Sequence, residues 1–144
     1  MSWDAVKTAN HLADCYVALW NEPDPARRRA LIAELWTEDA VHILQPPQEL
    51  REIAGRPGIG LTARLEAHGH AALEARATSA YEEFVAAGEF RFRRRDDVER
   101  LADVVKFSWE MVSRDGGVAG VGLDFLVLAP DGRINRDYQF IESQ

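Results

Sequence analysis

Phe90-Arg91-Phe92-Arg93, followed at once by Arg94-Arg95, is where the chain changes its period. Aromatics alternate there with arginines, which places Phe90 and Phe92 on one face of a strand and the arginines on the other. The alternation continues downstream. Val105, Phe107, Trp109 and Met111 form one apolar face, Val118 to Leu128 a further strand, and Arg133 to Ile141 a last one. Arg114-Asp115-Gly116-Gly117 is a hairpin signal, and Pro130-Asp131-Gly132 marks a second turn. Upstream the period is helical. From Ser2 to Asn21, Ala9, Leu12, Ala13, Tyr16, Leu19 and Trp20 recur at three- and four-residue steps, one stripe of an amphipathic helix that includes Tyr16. Asp24-Pro25 supplies an N-cap and a first-turn proline for a second helix running to about Glu38. Its inward side is Leu31, Ile32, Leu35 and Trp36, and most of the run Arg27-Arg28-Arg29 is expected in solvent because consecutive residues cannot share a face. Asp39 to Leu44 reads as a short strand that ends at Pro46-Pro47, with Gly55-Arg56-Pro57-Gly58 in the loop beyond it. Leu61 to about Ala87 predicts one long or broken helix, with Gly69 as the break. Helices first and an antiparallel meander afterwards predict an α+β domain with a curved sheet wrapped over helices.

The 144 residues suit a single domain, 1–144, with a core of its own. A formal net charge of -7 argues against nucleic acid and anionic membrane surfaces as partners. Cys15 is the only cysteine, so neither an intrachain disulfide nor a cysteine-based zinc site can form, and a cytoplasmic location is expected. Met1-Ser2-Trp3-Asp4 does not read as a targeting segment, and no stretch is apolar for the roughly 20 residues of a membrane helix. The sequence has no Walker or dinucleotide glycine pattern, and no cofactor is expected. His68-Gly69-His70 has no further ligand at metal spacing, so no metal is expected either. Arg93-Arg94-Arg95 runs directly into Asp96-Asp97 and reads as a solvated or subunit-facing edge.

Three local patterns and their order carry a resemblance that covers nearly the whole chain. They are Tyr16-Val17-Ala18-Leu19-Trp20-Asn21, Leu35-Trp36-Thr37-Glu38-Asp39-Ala40-Val41, and Gly122-Leu123-Asp124-Phe125-Leu126 running on to Asp131-Gly132-Arg133-Ile134. The chain resembles the nuclear transport factor two-like superfamily, and within it the SnoaL-like and ketosteroid-isomerase-like group. The resemblance implies a cone-shaped barrel with helices packed in the concavity of a mostly antiparallel sheet, a small-molecule pocket at its open end, and often a homodimer. Outward-facing Tyr138 and Phe140 fit such an interface. Because the superfamily holds isomerases, cyclases, dehydratases, epoxide hydrolases and binding domains, the fold does not name a reaction.

Four residues are the candidate catalytic groups. Tyr16 matches the tyrosine that binds the substrate oxyanion in ketosteroid isomerase, an enzyme long used to illustrate pKa tuning. The other reading is a core tyrosine bonded to backbone. Asp124 interrupts the inward apolar face of its strand, where an ionised carboxylate is costly unless paired. It matches the aspartate partner of that tyrosine and the acid/base aspartate of SnoaL-like cyclases; the alternative is a carboxyl satisfied by a neighbour. The resemblance turns Asp137, Gln139 and Ile141 inward on the last strand. If Asp124 and Asp137 share one cavity, burial and mutual repulsion push their pKa values apart and yield one acid and one base. Otherwise Asp137 pairs with Arg133 or Arg136 at the sheet surface. Arg136-Asp137-Tyr138 is also similar to a stretch of limonene epoxide hydrolase, but Phe107-Ser108-Trp109 stands where that family carries an Arg-x-Asp pair. The sequence departs from ketosteroid isomerase at Leu44, the position of the general base, since leucine cannot move a proton. His42, on the same strand face, is the substitute candidate. Trp109, Phe107, Gln139, Leu44, Trp20 and Leu126 complete the expected substrate-binding lining. The expected function is cofactor-independent acid/base catalysis, of isomerase, cyclase or lyase type, on a small hydrophobic ring or carbonyl compound; a non-catalytic small-molecule-binding or dimeric assembly domain is the alternative.

Overall fold

A computed structural model describes residues 3–45 and 65–142. Helix α1 (Trp3–Asn21) and helix α2 (Pro25–Leu35) precede strands β1 (Trp36–Leu44) and β2 (Leu65–His68). Helix α3 (Gly69–Ala80) ends in a π-helical turn, Tyr81–Val85. Five strands follow: β3 (Phe90–Arg94), β4 (Glu99–Leu101), β5 (Val104–Ser113), β6 (Val118–Leu128) and β7 (Ile134–Ile141). They form one curved sheet of seven strands in the order β2-β1-β7-β6-β5-β3, with β4 also on β5. All pairs are antiparallel except β1 with β7, which is parallel. The sheet is mixed and does not close, so the expected barrel is an open half-cone over the helices.

The helix starts follow their local chemistry. Asp24 is extended (φ -86°), and its carboxylate accepts from the amide of Ala26 at 3.0 Å, with Pro25 in the first helical position. The predicted second helix overruns its end. Trp36 already lies opposite Ile134 of β7, so sheet pairing takes Trp36, Thr37 and Glu38 away from the helix. The start of the predicted 61–87 helix is also corrected. Leu65–His68 is an edge strand antiparallel to β1, and Gly69, at φ +81°, turns the chain from that strand into α3. The prolines at 46–47, the loop Gly55–Gly58 and the segment 61–64 lie outside the described residues. Strand β4 was not anticipated.

Of the arginine run in α2, Arg27 and Arg29 are exposed but Arg28 is buried. Its Nη1 donates to the carbonyl of Glu22 at 2.7 Å, and its guanidinium lies 5.0 Å from the centre of the Tyr81 ring. Arg93 and Arg95 both reach Glu110 on β5, and Arg94 reaches Asp14 on α1. Those arginines tie an edge strand to its neighbours. Ala13, Tyr16 and Leu19 of α1, Ile32 of α2, and Trp36, Val105, Phe107, Leu126 and Ile134 of the sheet form the packed core. No described helix is long and apolar enough to cross a membrane.

Candidate functional site

The inward face of β6 reads Leu128, Leu126, Asp124, Gly122, Gly120 at steps of two. Two large apolar side chains give way to a carboxyl, then to no side chain at all. Sheet pairing sets Asp124 between Phe107 and Gln139, and Asp137 between Leu126 and His42. The two aspartates are therefore diagonal neighbours on adjacent strands, and Tyr16 descends onto them from α1. All three are buried. The alternative in which Asp137 pairs with Arg133 or Arg136 at the surface is not what the fold builds.

The Tyr16 hydroxyl lies 2.8 Å from Oδ2 of Asp124 and 2.5 Å from Oδ2 of Asp137. One hydroxyl carries one proton, so two such contacts require a second proton on one of the carboxyls. Asp124 also accepts from the indole N–H of Trp109 at 2.6 Å, whereas Oδ1 of Asp137 has no hydrogen-bond partner among the described residues. Burial raises the pKa of Asp137 well above the usual carboxylate range, and the neighbouring Asp124 charge raises it further. Asp124 is also raised by burial, but hydrogen bonds from Asp137, Tyr16 and Trp109 pull the other way. Asp124 accepts from the Trp109 indole and contacts the Tyr16 hydroxyl, while burial and the Asp124 charge favour the protonated form of Asp137. Tyr16 is held in its neutral form by burial and by both carboxyls.

His42 stands beside this trio, with Nε2 3.5 Å from Oδ2 of Asp137. Arg76 of α3 donates from Nη1 to Nδ1 of His42 at 2.9 Å. A guanidinium can only donate, so Nδ1 is the acceptor and Nε2 carries the ring proton, which it gives to Oε1 of Gln139 at 2.5 Å. Burial, reinforced by the Arg76 charge, pushes the His42 pKa down to about 3. His42 is therefore a neutral imidazole whose lone pair is already occupied.

Donor atoms of His42, Asp124 and Asp137, which lie far apart in sequence, fall within 4.8 Å of one another. Both imidazole nitrogens are committed, and the carboxyl oxygens share protons with Tyr16. A cation would have to displace these protons beside Arg76, so the donor set fits proton sharing better than ligation. Of the pair flanking Gly69, His68 meets Glu66 at 2.9 Å and His70 meets the carbonyl of Trp36 at 3.0 Å.

Above the trio is a cavity of about 370 Å³ between the open end of the sheet, α1 and α3. Its walls are mainly apolar: Trp20, Phe84, Phe92, Trp109, Met111 and Ile141. Phe92 meets Trp109 edge-on at 5.5 Å and Phe84 edge-on at 6.3 Å. Of the residues expected to serve the site, Tyr16, His42, Trp20, Trp109, Gln139 and Leu44 line this cavity. Asp124 and Asp137 are not among its lining residues and connect to it through Tyr16, His42 and Trp109. Phe107 and Leu126, expected in the lining, are not among the residues that border this cavity. Both are fully buried in the packed end of the cone, where Phe107 meets the Tyr16 ring edge-on at 5.5 Å.

Gly122 sets the geometry of Trp109. A Cβ at that position would lie 2.1 Å from Cζ2 of the indole, so only glycine lets the ring lie across β6 and reach Asp124. Arg76 was not anticipated. A signal was present, since Leu73, Arg76, Ala77 and Ala80 recur at helical spacing and Leu73 and Ala77 are buried; the arginine stands on the inward stripe.

No protein-family model matches the sequence, and no curated protein matches it. Solved structures do resemble the fold. A SnoaL-like family protein from Agrobacterium tumefaciens, described as a candidate isomerase, has a TM-score of 0.75 at 24% identity, over 95% of this chain and 99% of that one. A protein of unknown function with a cystatin-like fold from Methylobium petroleophilum has a TM-score of 0.64 at 18% identity, over 96% of this chain and 78% of that one. A candidate polyketide cyclase from Sinorhizobium meliloti has a TM-score of 0.56 at 15% identity, over 92% of this chain and 98% of that one. At these identities the likeness establishes the fold, which is that of SnoaL-like, nuclear transport factor two-like and ketosteroid-isomerase-like proteins.

Proposed function

We propose that the protein binds a small hydrophobic ring or carbonyl compound in the cavity and moves a proton on it by acid/base chemistry of isomerase, cyclase or lyase type. One observation carries this reading. Three protonable oxygens, on Tyr16, Asp124 and Asp137, share protons at the floor of a mainly apolar cavity, with His42 at the same level. Such a cluster is costly to bury and holds its protons at shifted pKa values, as a proton-transfer site requires. Tyr16 is the group in contact with both the cavity and the pair, so it would polarise a substrate oxygen while Asp124 and Asp137 set its proton. The likeness to a candidate isomerase and a candidate cyclase is compatible with this chemistry.

Hydrogen exchange into ketones tests the reading. With 2-acetylnaphthalene or a cyclic enone in D2O, proton NMR should show loss of the α-proton signal faster with the protein than in buffer. Tyr16→Phe and Asp124→Asn should each lower that rate by about a hundredfold, the usual scale for loss of a general acid or base. Ligand binding without any exchange would sink the catalytic reading. A second reading, ligand binding without chemistry, is favoured by one observation: both carboxyls are 0% exposed and neither lines the cavity. That outcome would support it.

A further inference from the structure

The polar end of the cavity is made of donors. Arg76 lines it, half-buried, and its guanidinium bonds through Nη1 alone: to Nδ1 of His42 at 2.9 Å and to the His42 carbonyl at 3.3 Å. Among the described residues no carboxylate lies within ion-pair distance of it, and the buried Asp137 acts on its charge only from further off. Gln139 turns its carbonyl oxygen to His42, which leaves its amide N–H groups as its remaining polar atoms. No acidic side chain is among the described lining residues. A half-buried cation and an amide, set in an apolar wall, are complementary to an anion with a hydrophobic body.

From this juxtaposition we infer that the cavity takes a hydrophobic carboxylate, with Arg76 as its anchor. The Nη1 hydrogen bond occupies the one lone pair of the His42 ring. A carboxylate accepts more strongly than an imidazole nitrogen and can take two guanidinium N–H groups at once. The N–H groups on Nε and Nη2 of Arg76 are left for the ligand, while Nη1 keeps its bond to Nδ1 of His42, so an anion on Arg76 is felt at the imidazole through that bond. This inference rests on the cavity being a ligand site, as proposed above.

Matched probes separate the two. Calorimetric titration of the whole protein would compare 2-naphthoate with 2-naphthamide and 2-acetylnaphthalene. The acid should bind about tenfold or more tightly than either neutral compound, an advantage that falls as salt rises and disappears in Arg76→Met and Arg76→Gln. Nitrogen-15 NMR of the imidazole should show the Nδ1 resonance of His42 moving on addition of the acid and not of the amide. Equal binding of acid and amide to the wild type, which needs no variant to fold, would overturn the inference and leave the cavity reading intact. An acid preference that survives both Arg76 substitutions would also overturn it. Binding of none of the three compounds would overturn the inference and the cavity reading together.

Discussion

The two ends of one concave sheet surface differ. At one end Val105, Phe107, Leu126 and Ile134 meet the helices in a packed core, and at the other Trp109, Met111, Gly120 and Gln139 border a hollow of about 370 Å³. The same strands, β5, β6 and β7, supply both ends, so strand pairing is not the cause. Side-chain volume is part of it: along β6 the inward positions shrink from Leu128 and Leu126 through Asp124 to Gly122 and Gly120. Helix placement is the rest, because Tyr16 and Trp36 sit over the packed end with their rings 6.1 Å apart. The proton-sharing trio occupies the boundary between core and cavity. It is desolvated like a core and still within one side chain of the ligand space.

Truncation at the two ends should break or confirm that contrast. Leu126→Ala, in the packed end, is expected to cost about 3 kcal/mol in urea unfolding, because neighbours close only partly around the lost volume. Met111→Ala, beside the hollow, should cost under about 1 kcal/mol, since its side chain already borders empty space. Equal costs would mean that the hollow collapses in solution. Gly122→Ala probes the boundary. The new methyl must push the indole aside, so a loss of about 2 kcal/mol is expected. Trp109 emission should shift as its bond to Asp124 breaks, and an unchanged spectrum would refute the assigned role of glycine.

The third test sharpens the boundary by pH. His42 has a folded pKa of about 3 against 6.5 for the free side chain, so the unfolded chain binds the extra proton. Stability from this group is full above pH 6.5 and is lost as pH falls toward 3. The buried aspartates act in the opposite sense: their raised folded values favour the protonated native state at low pH, a contribution lost as pH rises through those values. A difference between wild type and His42→Asn isolates the histidine. Between pH 6.5 and pH 5 the wild type should lose roughly 2 kcal/mol more than the variant, by chemical denaturation at each pH. Parallel pH profiles would show that His42 is not held neutral.

Local patterns were the legible part of this sequence. The α1 stripe, the Asp24-Pro25 helix start, the two glycine turns at 116 and 132 and the alternation from Phe90 to Ile141 each depend on a few adjacent residues, and each is where periodicity put it. The errors fall where distant pairing overrides local preference. Trp36–Glu38 joined β1 because β7 lies alongside, and Leu65–His68 became a strand because β1 offered an edge.

The site divides in the same way. Sequence alone could mark Asp124 as out of place on an apolar face and Tyr16 as buried, because strand and helix periods assign faces without reference to any partner. It could not decide that the Tyr16 hydroxyl bridges Asp124 and Asp137, 108 and 121 residues away, that Arg76 occupies the lone pair of His42, or that Phe107 and Leu126 belong to the core. Those outcomes depend on the register between strands and the seat of each helix on the sheet. Register is fixed by the packing of the whole core, and no local run of residues contains it.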